Sequence, residues 1–153
     1  VTAGVSLEFV AHFLTQEGWR IEWLGEQTLL RAAYQGNNGQ WICLAHVRPQ
    51  LGQVVFYSVA PLHAPEVLRP AVAEFVTRAN WEMVFGNFEM DYADGEVRFK
   101  TSIQLDHALL TAELLRPLIY SNVAVMDQYL PGLQAVIGLT QTPGAAISAI
   151  ETN

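Results

Sequence analysis

The chain has 153 residues, 51% hydrophobic and 15% charged, with a formal net charge of −7. That balance excludes an intrinsically disordered chain and suits one domain with its own core. Eight Lys+Arg stand against fifteen Asp+Glu, and Lys100 is the only lysine, which excludes both the clustered basic footprint of generic nucleic-acid binding and a polybasic membrane patch.

The single cysteine, Cys43, excludes an intrachain disulfide. There is no apolar run of roughly 18 residues, so no membrane span is predicted. The opening VTAGVSLEF lacks the basic segment and apolar core of a secretory signal, and a cytoplasmic protein is expected.

Ser6 reads as an N-cap. Leu7, Val10, Ala11 and Leu14 follow as one stripe, widened by Phe9 and Phe13, and Gly18 is a natural stop. The first helix is therefore predicted over 7–17. Alternation predicts strands over 19–24, 28–34, 41–47 and 53–59, separated by Gly25-Glu26-Gln27, the loop QGNNGQ (35–40), and Leu51-Gly52. Residues 53–59 are apolar on both faces, as in a central strand or one covered at an interface. Pro65 opens a second helix, whose inward stripe is Leu68, Val72, Phe75, Val76 and Ala79. Trp81, Met83 and Phe85 then alternate ahead of Gly86 and lead into a hairpin.

The hairpin spans FGNFEMDYADGEVRFKTSI (85–103). Asp94-Gly95 is a favoured two-residue type I′ turn. Counting outward pairs Tyr92 with Val97 and Met90 with Phe99 on one face. On the other face the same count pairs Asp91 with Arg98 and Glu89 with Lys100. A helical tract follows over 111–139. Pro117 and Pro131-Gly132 are expected to divide it into two or three pieces, with Asp127 and Gln128 on its wet side. The expected architecture is α+β: one antiparallel sheet with N-terminal, middle and C-terminal helices, a single domain over 1–139, and a flexible tail or short docking helix over 140–153.

The search for chemistry yields little. A strand follows QGNNGQ and the loop has no lysine, so it is not a phosphate-binding loop. His12, His46, His63 and His107 lack the spacing of a metal-binding helix, and Cys43 and His46, three apart on a strand, point to opposite faces. Cys43 reads as a buried structural thiol, since no base accompanies it. Glu89, Asp91, Asp94 and Glu96 read as a solvated face paired with Arg98 and Lys100, in preference to a calcium loop or an acid/base pair. Asp106, His107 and Glu113 near Thr101 and Ser102 establish no triad from their order alone. Trp19, Trp23, Trp41 and Trp81 pack on the sheet or line a pocket. No catalytic, cofactor-binding or metal-binding residue is assigned.

Two stretches carry a resemblance: GNFEMDYADGEVRFKTSI and LLRPLIYSNVAVMDQYLPGLQAVI, the second with Asn122, Met126-Asp127, Tyr129 and Pro131. They resemble the YbjN-like family, in particular a cyanobacterial member, over roughly the second half of the chain. The fold of that family is similar to type III secretion chaperones. The resemblance implies an α+β domain, often dimeric, linked to sensory transduction regulation or protein interaction, and it brings no catalytic residues. The expected function is a non-catalytic cytoplasmic protein-interaction module, regulatory or chaperone-like. It would be a homodimer through the apolar face of 54–59 or the C-terminal helical tract, with a protein or peptide client. The alternative is a small-molecule-binding domain or minor enzyme with an aromatic-lined pocket and a polar group such as His46 or His107.

Overall fold

The computed structural model describes residues 5–106 and 108–152. Helix α1 (Leu7–Gln16) starts at Ser6, whose hydroxyl accepts from the Phe9 amide at 3.2 Å. Gly18, at φ 90°, ends it in a Schellman arrangement, with the Gly18 and Trp19 amides returning to Thr15 and Leu14. Because the Trp19 amide is used in this way, strand β1 begins only at Ile21 (Ile21–Leu24). Strands β2 (Leu29–Gln35), β3 (Gln40–Arg48) and β4 (Gln53–Val59) follow. Helix α2 is Arg69–Asn80, β5 Asn87–Met90, β6 Val97–Gln104, α3 Ala112–Ile137 and α4 Pro143–Glu151.

The six strands form one antiparallel sheet in the order β1-β2-β3-β4-β6-β5. Alternation directs Leu30, Cys43, Ala45, Phe56, Phe88 and Phe99 to one face, where all are buried. Helix α1 packs on β1–β3, α3 on β4 and β6, and α2 on β5, so the helices share that face. Fully burying a side chain such as Phe56 or Phe99 contributes about 1.5–3 kcal/mol. The fold is therefore α+β with two layers and a single core.

The hairpin keeps its predicted faces and changes its register. Phe88 is opposite Phe99, Glu89 opposite Arg98 and Met90 opposite Val97, a slip of two residues from the expected pairing. Two aspartates cause it. Asp91 Oδ1 accepts from the Ala93 amide and Asp94 Oδ1 from the Glu96 amide, both at 2.9 Å, while the Asp91 amide donates to the Glu96 carbonyl. These bonds make a wider loop over 92–95 in place of a two-residue turn. Gly95 sits at φ 80° with its backbone against Ala64, where a Cβ would lie 2.1 Å from the Ala64 carbonyl oxygen. Tyr92 consequently leaves the core face and is 56% exposed. A slip of two preserves the faces because the side-chain period is two. Phe88 packs on Phe99 with ring centroids 4.8 Å apart.

The run before the hairpin is also corrected. Residues 81–86 are not a strand; Glu82 adopts φ 64° and the Met83 amide returns to the Asn80 carbonyl, so Trp81 and Val84 project into solvent. Asn80 has a second task. Its side chain accepts from the Phe88 amide at 2.7 Å and donates to the Phe88 carbonyl at 2.9 Å, so it occupies the free edge of β5 as a neighbouring strand would.

The C-terminal tract is one continuous helix, not two or three pieces. Pro131 removes the amide that would bond the carbonyl of Asp127, four residues earlier. Asn38, from the β2–β3 loop, donates its Nδ2 to that carbonyl at 2.9 Å. In return Asp127 accepts from the amides of Asn37 and Asn38 at 3.0 and 2.8 Å. Loop and helix thus satisfy each other's unpaired groups. Near the start of α3 Pro117 leaves the carbonyl of Glu113, an exposed residue, without its helical donor. Helix α4 packs on α2 and α3 through Ala146 and Ile147, and its Glu151 accepts from the Tyr129 hydroxyl at 2.8 Å.

Candidate functional site

Two surfaces have the chemistry to engage another molecule. The first is the sheet face opposite the helices. None of its strand residues is buried. Its centre is Leu29, Ile42, Leu44, Val55, Tyr57 and Val59, all half-exposed. The registers set them in rows. Ile42 adjoins Val59, Leu44 adjoins Tyr57, and Val55 adjoins His46, which adjoins Leu29. Together these half-buried side chains form a contiguous apolar surface of the kind that marks an interaction site.

Charged groups flank the patch. In the row of Leu44 and Tyr57, Arg31 and Lys100 flank the apolar pair, with Glu22 of β1 beyond Arg31 and Asn87 of β5 beyond Lys100. The Arg98 guanidinium lies over the Tyr57 ring at 4.2 Å, a cation–π contact. Glu89 pairs with Arg98 through its Nε and with Lys100 at 3.2 Å. Partial burial would raise the Glu89 pKa, but the hydrogen bonds and charges of Arg98 and Lys100 outweigh it and hold the carboxyl below its usual range.

The second surface is an aromatic cleft of about 450 Å³ at the end of α1, bordered by Glu17, Trp19, Arg20, Tyr34 and Tyr120. It forms where β1 stops short of β2: Ala32 is the last β2 residue with a β1 partner, and β2 continues to Gln35. Trp19 stacks on Tyr34 with centroids 5.2 Å apart and donates its indole N–H to the Tyr120 hydroxyl at 3.1 Å. That hydroxyl donates to Glu17, which Arg116 also binds at 2.7 Å. Burial raises the pKa of Tyr34, with Asp127 and Cys43 adding to the effect. Burial likewise raises that of Tyr120; the Trp19 hydrogen bond opposes it and Glu17 reinforces it.

The residues singled out in the sequence disperse. Cys43 is buried beside Ser58, with Sγ 3.7 Å from Oγ, and burial pushes its thiol up to about 12. His46 lies on the open sheet face, away from the aromatic cleft, and His12 is exposed on α1. The ring of His63 contacts the Asp94 carbonyl at 3.1 Å. His107 lies outside the described residues. Thr101 is buried and donates to the Leu118 carbonyl, whereas Ser102 is exposed on the opposite face, so the two hydroxyls do not meet. Of the expected charge pairs in the hairpin, Glu89–Lys100 forms, whereas Arg98 pairs with Glu89 in place of Asp91. Asp91 and Asp94 build the loop. Among the described residues, no three His, Cys, Asp or Glu side chains are grouped to hold a metal, and no helix is long and apolar enough to cross a membrane.

The four tryptophans separate as well. Trp41 is core and donates to Ser58 at 3.0 Å, Trp23 packs at the core's edge, Trp81 is exposed, and Trp19 alone enters the cleft. Sequence reasoning missed the two tyrosines of the cleft, which come from β2 and α3. It did carry a signal for the open face, in the apolar content of both faces of 53–59.

Residues 6–135 match the YbjN family, described as "Putative bacterial sensory transduction regulator". Among solved structures, the chain is similar to YbjN from E. coli, with TM-score 0.60 and 13% identity, covering 91% of this chain and 96% of that one. It is also similar to a chain of the ExsC–ExsE complex, with TM-score 0.53 and 14% identity, covering 81% and 90%. At these identities the likeness is one of fold, and the fold resembles that of the type III secretion chaperone ExsC. No curated protein matches the sequence.

Proposed function

The chain belongs to the YbjN family, and on that premise we propose that it is a non-catalytic protein-interaction module, regulatory or chaperone-like, acting in the cytoplasm as a homodimer. The observation that carries this reading is the apolar centre of the sheet face that no helix covers. Leaving six large apolar side chains half-exposed costs stability that a covering partner returns. ExsC, similar in fold, was solved in complex with ExsE, which supports a docking role without identifying a partner. The homodimer contact lies on the C-terminal helices, where Leu139 is 76% exposed beside a groove lined by Ala71, Val136 and Pro143. The sheet face is left for a client. Size-exclusion chromatography with light scattering is expected to return the mass of a dimer, and affinity capture from native cytosol a protein partner. A strict monomer at every physiological concentration, with no partner captured, refutes the reading.

A second reading rests on the aromatic cleft, whose stacked Trp19 and Tyr34 would hold a flat small molecule. A small aromatic library screened by ligand-observed NMR tests it. Hits that survive Trp19→Ala and Tyr34→Ala count against the cleft.

A further inference from the structure

The charge on the open face specifies what covers it. Four of the eight basic side chains, Arg31, Arg48, Arg98 and Lys100, stand on strand positions of this face. Only two acids share those positions, Glu22 on β1 and Glu89 on β5. The face is formally +2 within a chain of −7, so the remainder carries −9. Asp91 and Glu96 adjoin it only at the hairpin corner. One carboxylate, Glu89, serves both Arg98 and Lys100. A groove of about 240 Å³ runs between Val55 and Tyr57 on one side and Lys100 and Ser102 on the other, with Arg48 at its end. The Arg98–Tyr57 contact fixes one wall.

Resting on the protein-interaction reading above, we propose that the open face docks an acidic, apolar polypeptide segment of a different protein. Its apolar side chains lie over Leu44, Val55 and Tyr57, and its carboxylates meet Arg31, Arg48 and Lys100. A row in which Arg31 and Lys100 flank the apolar Leu44 and Tyr57, with Glu22 outside Arg31, suits a segment in which acids bracket an apolar centre. A second copy is the poorer occupant, because its own open face carries the same excess of positive charge and like charges set opposite each other oppose docking.

The test uses the full chain and three fluorescein-labelled peptides of about 15 residues. They share Leu and Phe positions and differ in bearing Asp, Asn or Lys between them. In fluorescence anisotropy the Asp peptide is expected to bind at least about tenfold more tightly than the Asn peptide, and the Lys peptide not to bind. Raising salt should weaken the Asp complex. Arg31→Gln with Lys100→Gln should cost about tenfold, as should Leu44→Gln, while Arg78→Gln on α2 should change nothing; unchanged circular dichroism and Tm show that each variant folds. Equal binding of the Asp and Asn peptides, or no binding of either, overturns the proposal. If Leu44→Gln instead dissociates a homodimer, the face belongs to a second copy. The proposal then fails while the interaction-module reading stands. Loss of dimerisation and partner capture in the wild type would remove both.

Discussion

Asn122 on α3 offers a sharp test of how the helical layer is fastened to the sheet. It is fully buried, and its Nδ2 lies 3.0 Å from the Phe56 carbonyl, 3.1 Å from that of Phe99 and 3.1 Å from Thr101 Oγ1. The Thr101 proton is already committed to the Leu118 carbonyl. The amide nitrogen therefore faces three oxygens that all accept, while Oδ1 has no partner. Asn122→Asp keeps the shape and sets an oxygen where the donor was. In the fold that carboxyl gains a bond only as the protonated acid, which can donate once. In the unfolded chain it ionises near about 3.9. Its folded pKa is thus raised, so the penalty is absent below the unfolded value and grows as pH rises above it. Holding the proton at about pH 7 costs about 4 kcal/mol, against about 1 kcal/mol at about pH 4.5. A domain stable by about 5–15 kcal/mol loses much of that margin. Urea denaturation of wild type and variant at both pH values should show the gap widening by about 3 kcal/mol. Asn122→Leu, which removes the donor together with the unpartnered oxygen, should show a gap independent of pH. An Asp variant whose gap is equally independent of pH would refute this account of the site.

Asp127→Ala should cost about 1–2 kcal/mol and speed hydrogen exchange at the Asn37 and Asn38 amides, which lose their acceptor; unchanged exchange there would contradict the loop–helix interlock. Burial, with the Glu151 hydrogen bond and charge adding to it, pushes the Tyr129 hydroxyl up to about 12. The folded protein therefore favours its neutral form. The resulting stability is full below about 10 and fades as pH climbs toward about 12, so wild type should lose stability in that window more steeply than Tyr129→Phe. Cys43, buried with its thiol near 12, should resist a disulfide reagent at about pH 8 in the native protein and react fully after denaturation.

The comparison of pattern with structure is instructive element by element. Ser6, the apolar stripe of α1 and Gly18 sufficed for the first helix, because capping and period are local. Strand β4 spans the predicted residues because its alternation is bounded by Gly52 on one side and by proline-rich sequence on the other. The hairpin register failed where two aspartate side chains bonded nearby amides and widened the turn, a competition that residue counting does not weigh. The continuity of α3 failed because the compensation for Pro131 comes from Asn38, far away in sequence. The cleft escaped notice for a similar reason: Trp19, Tyr34 and Tyr120 belong to three elements that only packing brings together.

By itself, then, the sequence determined what depends on neighbours along the chain: most of the secondary-structure types, most of their inward faces, and the net charge of −7. The tertiary structure decided what depends on neighbours in space. All the helices lie on one side of the sheet, so the apolar residues of 53–59, which suggested a central strand or one covered at an interface, form a central strand with one face turned away from the helices. Strand order sets Arg31 and Lys100 on either side of Leu44 and Tyr57 in one row, although they are distant in the chain. Net charge is a sum over residues and reads −7 wherever they sit; the sign a partner meets on one face depends on strand registers, which long-range pairing alone supplies.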